Sequence, residues 1–282
     1  MRHRPSATAY RVAMSRAAHQ LLDQPRVLED PVALRIVGAA GAAEIRARTL
    51  RFNASLARYL RAFVVARSRI AEDALRASVE RGVHQYVVLG AGLDTFAYRN
   101  PFPPQRLQVF EVDHPATQAW KRSRLLEGGI ALPESLRFVP VDFETDTLAE
   151  RLTASGLRAD EPAFFSWLGV SMYLTRQAVR GTLSYVASRP RGSGIVFDYA
   201  VPPATLDLVR RLVIAAVRRH VAAIGEPWKT FFDPQALSAE LTALGFTQLE
   251  DLGTDELNAR FFNDRSDGLR TGRLGRIVCA RT

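Results

Sequence analysis

The sequence predicts an α/β fold built on one doubly wound, mostly parallel sheet of about seven strands, and three observations lead to this prediction. Seven short apolar runs follow residue 82 of the 282-residue chain. Most of these runs are separated by stretches compatible with helices, such as residues 115–129 and 174–190. The runs are apolar at consecutive rather than alternate positions, which is typical of strands covered by helices on both faces.

The N-terminal part of the chain predicts helices added to this core. Residues 1–22 carry four arginines and no acid, which favours an amphipathic helix of the fold, with an organellar transit peptide as the alternative. Residues 54–81 contain no Gly or Pro and keep a helical period, and Gly82 supplies the stop. We expect a single domain in which residues 1–82 form N-terminal helices and residues 83–282 form a Rossmann-like core with cap insertions.

Each predicted strand can be located in the printed sequence. In order they are QYVVLG (85–90), LQVFEVD (107–113), LRFVPVDF (136–143), AFFSWLGV (163–170), GIVFDYAV (194–201), FTQLEDL (246–252) and GRIVCART (275–282). The last two runs follow each other closely along the sequence, so we expect them to pair as a hairpin.

Composition limits the classes of protein and partner. No run of 18 apolar residues occurs, so we expect no membrane partner. The net charge is +9, but 36 of the 38 basic residues are arginines spread along the chain, with only Lys121 and Lys229 as lysines. Coding bias explains this better than a nucleic-acid site. The single cysteine, Cys279, excludes an intramolecular disulfide and a Cys-rich zinc site. A single free cysteine is consistent with a reducing compartment, so we expect a cytoplasmic protein. We also expect no bound metal.

The first strand ends in Gly90 and Gly92, where an open parallel sheet binds its ligands. Glycines let the backbone turn sharply and approach a ligand closely. A dinucleotide fingerprint would need a third glycine where Thr95 stands, and a P-loop would need a lysine that is not near. Both phosphate interpretations are therefore weak.

Acidic residues end the next two strands: Glu111 and Asp113 the second, and Asp142 the third. A carboxylate at the end of the second strand suits a ribose diol. For any one acid the alternative is a helix N-cap or a solvated strand end. Taken together, the three strand ends favour a nucleoside without a phosphate requirement, with S-adenosylmethionine as the leading candidate.

Arg67 continues the apolar face of the long helix that Leu56, Leu60 and Phe63 begin. A guanidinium on a buried face needs an anionic partner. The carboxylate of a methionine moiety would match it. The alternatives are an internal Asp or Glu, or a side chain that extends past the rim of the buried face.

Several motifs of the chain resemble those of a known family. In order they are VVARSR, VVLGAGLDTFAYR, VFEVDHP, VPVDF and GVSMYL, followed by FDYAVPP, GEPWKTFFDP and LNARFF. Over about residues 6–282 the chain resembles the leucine carboxyl methyltransferase family, and more closely its bacterial branch of S-adenosylmethionine-dependent O-methyltransferases. The resemblance implies a class I methyltransferase sheet with a helical cap.

The resemblance also implies roles for individual residues. Arg67 would hold the cofactor carboxylate, Asp113 the ribose and Asp142 the adenine amino group. The remaining implied cofactor residues are the lining of the methionine part (Gly90, Ala91 and Gly92) and the backbone of Phe143 beside the ring. One departure is Leu168, which with Trp167 stands where the family often has a Glu; that acid contact is missing, or a backbone carbonyl replaces it.

The methyl acceptor is expected to be a small molecule with a carboxylate or hydroxyl. Candidate acceptor-side residues follow the fourth and fifth strands: Tyr173, Tyr199, Glu226 and Arg260, with Tyr199 or Glu226 as a general base. The alternative is that they order the cap and its helix ends. Other functions left open are a catalytically impaired partner protein, methylation of a protein C-terminal carboxylate, and a nicotinamide oxidoreductase, which Thr95 disfavours. The oligomeric state is left open.

Overall fold

Seven strands form one sheet in the computed structural model, which describes residues 6–142, 146–205, 208–223, 225–273 and 275–282. The strands are β1 (Gln85–Leu89), β2 (Gln108–Asp113), β3 (Leu136–Pro140), β4 (Ala163–Trp167), β5 (Gly194–Ala200), β6 (Gln248–Leu252) and β7 (Gly275–Arg281). Each of them lies within one of the seven runs predicted from the sequence.

The strand order is β3-β2-β1-β4-β5-β7-β6. The first five strands are parallel, and β7 is antiparallel to both of its neighbours, β5 and β6. The order of the strands reverses between β1 and β4, which confirms the predicted doubly wound sheet and places its ligand-binding crevice there.

Burial explains why the central strands read as continuous apolar runs. All residues of β1, β4 and β5 are buried, whereas exposure alternates along the edge strand β6. The predicted pairing of the last two strands is confirmed as an antiparallel ladder. A helix intervenes between them, so the connection is longer than a hairpin turn.

The helices cover both faces of the sheet and add the N-terminal layer. They are α1 (Ala7–Leu22), α2 (Ala33–Ala47), α3 (Thr49–Phe52), α4 (Ser55–Glu80), α5 (Pro115–Glu127), α6 (Leu148–Ala154), α7 (Arg176–Ala187), α8 (Leu208–Ala223), α9 (Pro234–Leu244) and α10 (Thr254–Phe261). Four of the described helices begin with a side chain that accepts a hydrogen bond from a backbone N–H of the first turn: Ser6 for α1, His114 for α5, Thr175 for α7 and Asp233 for α9.

The helix α4 joins the N-terminal layer to the sheet. Its buried residues Val65, Ile70 and Leu75 belong to the same core cluster as Tyr86 of β1 and Phe164 of β4. On the other side, α1 packs against α2 and α4. Helix α1 therefore lies within the fold, as the amphipathic interpretation of residues 1–22 predicts for its described part.

A buried ion pair fixes the position of α1 against α4. The carboxylate of Asp23, directly after α1, accepts hydrogen bonds from Nε and Nη2 of Arg61 at 2.7 and 2.8 Å. It also contacts Nδ1 of His19 at 2.8 Å, while Nε2 of that ring accepts from the backbone N–H of Val27. His19 therefore acts as a structural residue with its proton on Nδ1.

Candidate functional site

The loop after β1 passes through two glycines with left-handed backbone, Gly90 at φ 65° and Gly92 at φ 47°. A Cβ atom on Gly90 would lie 2.5 Å from Cγ2 of Val170, and one on Gly92 would lie 3.0 Å from Cβ of Ala9. Glycine is required at Gly90 by both conformation and space. The glycine loop therefore lies directly beneath α1 and beside the loop that follows β4.

Asp113 closes this loop against the end of β2. Its Oδ2 accepts from the backbone N–H of Gly92 at 2.6 Å, and its Oδ1 accepts from that of His114 at 2.7 Å. Burial raises the pKa of the Asp113 carboxyl above its ordinary value, although these two N–H donors oppose the rise. Each carboxylate oxygen keeps a further lone pair for a ligand hydroxyl.

Glu111, the other acid of β2, has a different environment. It is fully buried, and its Oε2 lies 2.6 Å from Nζ of Lys121 and accepts from the Tyr98 hydroxyl at 3.1 Å. Burial raises the pKa of the Glu111 carboxyl, against the charge of Lys121. The strand-end carboxylate next to the glycine loop is therefore that of Asp113.

A cavity of about 290 Å³, here called the glycine-loop cavity, lies at the carboxyl ends of β1, β2 and β4. Six residues predicted for the cofactor line it: Arg67, Gly90, Ala91, Gly92, Asp113 and Leu168. Asp142 is outside this lining, and its backbone forms a turn with Asp146. Phe143 lies outside the described residues. The adenine contacts inferred for these two residues stay predictions.

The loop after β4 carries Leu168 and Gly169 into this cavity. Gly169 has φ 75°, and its N–H donates to Oδ1 of Asp198 at 2.5 Å. A Cβ atom there would lie 2.7 Å from Nη2 of Arg67. Close to the position where the family often has a Glu, the chain thus places a buried carboxylate that comes from β5.

Arg67 pairs with this same Asp198. Its Nη1 lies 2.9 Å from Oδ2 of Asp198, and the two residues are 6% and 0% exposed. The internal acid that the sequence left as an alternative partner is therefore present. Arg67 still lines the glycine-loop cavity, so its contact with a cofactor carboxylate stays a prediction that rests on its remaining N–H groups.

Asp198 is the residue that sequence reasoning missed. An acid in the middle of the apolar run GIVFDYAV was its signal, because a carboxylate on a strand buried on both faces needs a partner. That partner, 131 residues earlier in the chain, could not be identified from the sequence.

A second cavity, of about 440 Å³, adjoins the first and is here called the apolar cavity. Its walls come from α1, α4, the segment after β4, β5 and α8, and are largely aliphatic and aromatic. The two cavities share five residues: Thr8, Val12, Arg67, Gly169 and Tyr173. A ligand in one cavity would therefore lie next to a ligand in the other.

Tyr173 and Tyr199 both line the apolar cavity, in different ways. Burial raises the pKa of the Tyr173 hydroxyl, which lies beside the indole of Trp228 and the side chain of Thr8. The Tyr199 hydroxyl donates instead to Oδ2 of Asp251 at 2.7 Å. Burial and this carboxylate both raise the pKa of Tyr199. Ionisation of Tyr199 beside Asp251 is therefore opposed, which argues against Tyr199 as a general base, and that role stays a prediction.

Glu226 lies at the start of α1. Its Oε1 and Oε2 accept from the backbone N–H groups of Ala7 and Thr8 at 3.1 and 3.3 Å. It thereby satisfies N–H groups that a helix N-terminus leaves unpaired, and it lines the glycine-loop cavity. This contact matches the alternative role of ordering a helix end.

Arg260 does not line either cavity. It lies on α10, where its exposed guanidinium pairs with Glu250 of β6 at 3.5 Å and stacks near the ring of Phe261. This position gives no support to Arg260 as an acceptor-side residue, and that role stays an untested prediction. Its helix follows β6 at the edge of the sheet, away from the switch in strand order.

A second contact holds α1 over the glycine loop. Arg16 of α1 donates from Nη1 to Oδ2 of Asp94 at 2.7 Å and from Nη2 to the carbonyl of Leu93 at 2.6 Å. Burial alone would raise the pKa of Asp94, but Arg16 and other cations hold it below its ordinary value. Contacts of Arg16 and of Glu226 thus hold α1 over the glycine loop.

Metal-binding clusters and membrane-spanning helices are both absent from the described part of the chain. There, no group of three or more His, Cys, Asp or Glu side chains is placed to hold a metal ion. Among the described helices, none is both long and apolar enough to cross a membrane.

Comparisons with known proteins agree with the geometry. A family model described as leucine carboxyl methyltransferase matches residues 9–187. The chain is 34% identical to YktD of Bacillus subtilis (strain 168), named as an S-adenosyl-L-methionine-dependent methyltransferase, over 94% of this chain and 93% of that protein.

Two further matches concern a mycobacterial protein and a solved structure. A protein of Mycobacterium sp. (strain KMS) with the same kind of name is 30% identical over 74% of this chain and 62% of its own length. A solved structure from Thermobifida fusca YX, described as a methyltransferase, shares the fold with a TM-score of 0.55 at 15% identity, over 99% of this chain and 96% of that one.

Proposed function

Since the chain belongs to the leucine carboxyl methyltransferase family and is an S-adenosylmethionine-dependent methyltransferase, we propose that it methylates an oxygen, a carboxylate or a hydroxyl, of a small molecule. The observation that carries this proposal is the junction of the two cavities. The glycine-loop cavity and the apolar cavity share Arg67, Gly169 and Tyr173, so a methyl donor and an acceptor can lie side by side.

The residues around the glycine-loop cavity fit S-adenosylmethionine. Gly90 and Gly92 keep the floor free of side chains, and Asp113 offers a carboxylate at the end of β2 for the ribose hydroxyls. The remaining N–H groups of Arg67 are available for the cofactor carboxylate. When bound, the cofactor supplies a methyl group already activated on a sulfonium sulfur.

The chain's own contribution is binding, orientation and exclusion of water. Helix α1 roofs both cavities, with Thr8 and Val12 lining each of them. Apolar walls keep the acceptor side dry, and a fixed position beside the donor supplies much of the rate. Because α1 and α4 complete cavities that the strands begin, we propose that residues 1–82 and 83–282 act as one domain.

The test is a pair of measurements on the purified chain. Calorimetric titration with S-adenosylhomocysteine should show binding, with NAD(P) as the negative control. Incubation with methyl-labelled S-adenosylmethionine and a panel of small carboxylic acids and phenols should then transfer label to an oxygen. Binding without transfer to any acceptor would favour a partner protein, and transfer to a peptide C-terminus alone would contradict the small-molecule acceptor.

A further inference from the structure

Most of the wall of the apolar cavity is apolar, and several polar groups lie at its junction with the glycine-loop cavity. Aliphatic and aromatic side chains such as Val12, Phe63, Val64 and Met172 form most of its wall. Polar groups lie where it meets the glycine-loop cavity, at Tyr173 and at the pair of Arg67 with Asp198. Arg11, Ser15 and Tyr59 add polar atoms elsewhere in its wall. Such a cavity fits a ligand with one polar end and an apolar body.

The polar end offers no ready general base among the described residues that line it. Asp198 is already paired with Arg67 and with the N–H of Gly169. Burial raises the pKa of both Tyr173 and Tyr199, which makes their anions unfavourable. Glu226, in the adjoining glycine-loop cavity, already accepts from the N–H groups of Ala7 and Thr8. An acceptor that arrives already ionised needs no base, and at neutral pH a carboxylic acid is ionised whereas a phenol, with a pKa near 10, is not.

Trp228 supplies a donor at this same end. Its indole lines the cavity, and its Nε1 is buried without a hydrogen bond of normal geometry to any atom of the described residues. The Tyr173 hydroxyl is the acceptor next to it, and the indole N–H lowers the pKa of that hydroxyl against the effect of burial. The backbone N–H of Lys229 donates to the carbonyl of Met172 at 2.7 Å, which fixes the segment that carries Trp228. A neutral hydroxyl is a weaker acceptor than an anionic oxygen, so an anionic ligand would bind this buried N–H more strongly.

The apolar wall continues to the surface between α4 and α8. Leu60 of α4 lines the cavity yet is 40% exposed. Leu212 of α8 is 64% exposed and lies one turn before Ala216, which lines the cavity on the same helix face. An apolar tail that leaves the cavity between α4 and α8 would contact these two leucines.

We propose that the apolar cavity binds an ionised carboxylic acid on an extended apolar body, with the carboxylate held by Trp228 and Tyr173 and the tail directed out between Leu60 and Leu212. This rests on the proposed function. A carboxylate oxygen supplies the electron pair of the new O–CH3 bond, and the pair of the broken C–S bond stays on sulfur. The anion and the sulfonium cation become two neutral products, so no proton is removed.

The test measures binding of hexanoate, octanoate and decanoate by calorimetry on the chain saturated with S-adenosylhomocysteine. Each added methylene should tighten binding about fourfold, the ratio expected for a buried CH2 group. Leu60→Asp and Leu212→Asp should weaken decanoate at least tenfold and hexanoate less than twofold. The matched control is Leu126→Asp on α5, where the leucine is 83% exposed and lines neither cavity; it should change neither.

Trp228→Phe tests the polar end, because it removes the indole N–H and keeps an aromatic ring. All three acids should bind at least tenfold more weakly, with unchanged affinity for S-adenosylhomocysteine as the sign of an intact fold. Methylation of decanoate in preference to 4-hexylphenol should follow with S-adenosylmethionine.

Three outcomes would overturn the inference while leaving the proposed function intact. They are acid binding that is independent of chain length, leucine variants that behave like the control, and methylation of the phenol in preference to the acids. If S-adenosylhomocysteine itself does not bind the unaltered chain, the proposed function fails and this inference fails with it.

Discussion

Replacement of Arg67 by methionine should destabilise the cofactor-free protein, because it leaves a buried carboxylate without its cation. Nη1 of Arg67 and Oδ2 of Asp198 are 2.9 Å apart, and both residues are buried. Removal of one partner from a buried pair costs about 3–5 kcal/mol. The N–H of Gly169 still donates to Asp198, so we expect a loss at the lower end of that range.

Denaturant unfolding of the free protein measures this loss by linear extrapolation. Titration with S-adenosylhomocysteine on the same variant measures the second role of Arg67, and affinity should fall more than tenfold, or about 1.4 kcal/mol. The double variant Arg67→Met/Asp198→Asn should recover most of the stability, because the neutral amide no longer needs a cation and still accepts from Gly169.

A matched control lies on the same helix. Arg69 pairs with Asp73 at 2.9 Å but is partly exposed, so Arg69→Met should cost less than about 1 kcal/mol. The reasoning is refuted if Arg67→Met is no more destabilising than Arg69→Met, or if the double variant recovers nothing. Unchanged cofactor affinity in a folded Arg67→Met protein would refute the predicted contact with the cofactor carboxylate.

Further predictions concern the cofactor and the residues considered as bases. S-adenosylhomocysteine at 100 times its dissociation constant should add about 2.7 kcal/mol of stability in a thermal melt; a shift with NAD(P) alone would contradict this. Asp113→Ala should weaken its binding by about 1.5–3 kcal/mol in calorimetry. Because burial holds the pKa of Asp113 above its ordinary 3.8, the ionised acceptor is lost as pH falls through that raised value, so affinity should already decline above pH 3.8, and this decline should be absent from Asp113→Ala. Tyr199→Phe should cost about 1 kcal/mol of unfolding free energy and keep methyl transfer, whereas loss of a general base would reduce the rate about 10²- to 10⁴-fold. Glu226→Ala should speed hydrogen exchange at the N–H groups of Ala7 and Thr8, and a large loss of methyl transfer at unchanged cofactor affinity would restore Glu226 as a base.

The sequence was most informative where one strand or one turn decides the outcome. Continuous apolar runs predicted all seven strands, since burial on both faces is a local property of a segment. The same logic placed the glycine loop and Asp113 at neighbouring strand ends, and in the structure the backbone N–H of Gly92 donates to Asp113.

The sequence was least informative where a residue's role depends on the direction of its side chain and on a partner far away along the chain. Tyr199 lies on the predicted strand, but the partner of its hydroxyl comes from β6, 52 residues later. Arg260 follows a strand as predicted, yet its helix lies at the sheet edge, away from the cavities. The role of Trp228 depends on α8 and the segment after β4 meeting around one cavity. Such contacts are set by packing of the whole chain, which no single segment encodes.

Because lysine is nearly absent from the chain, an amine-reactive reagent can label it at very few positions. Lys121 is buried against Glu111, so Lys229 is the one lysine exposed to an acylating dye. It directly follows Trp228, on the segment fixed to Met172. Besides the terminal amine, one reagent thus attaches a fluorophore at the edge of the apolar cavity without any engineered cysteine, and its emission would follow ligand entry in real time.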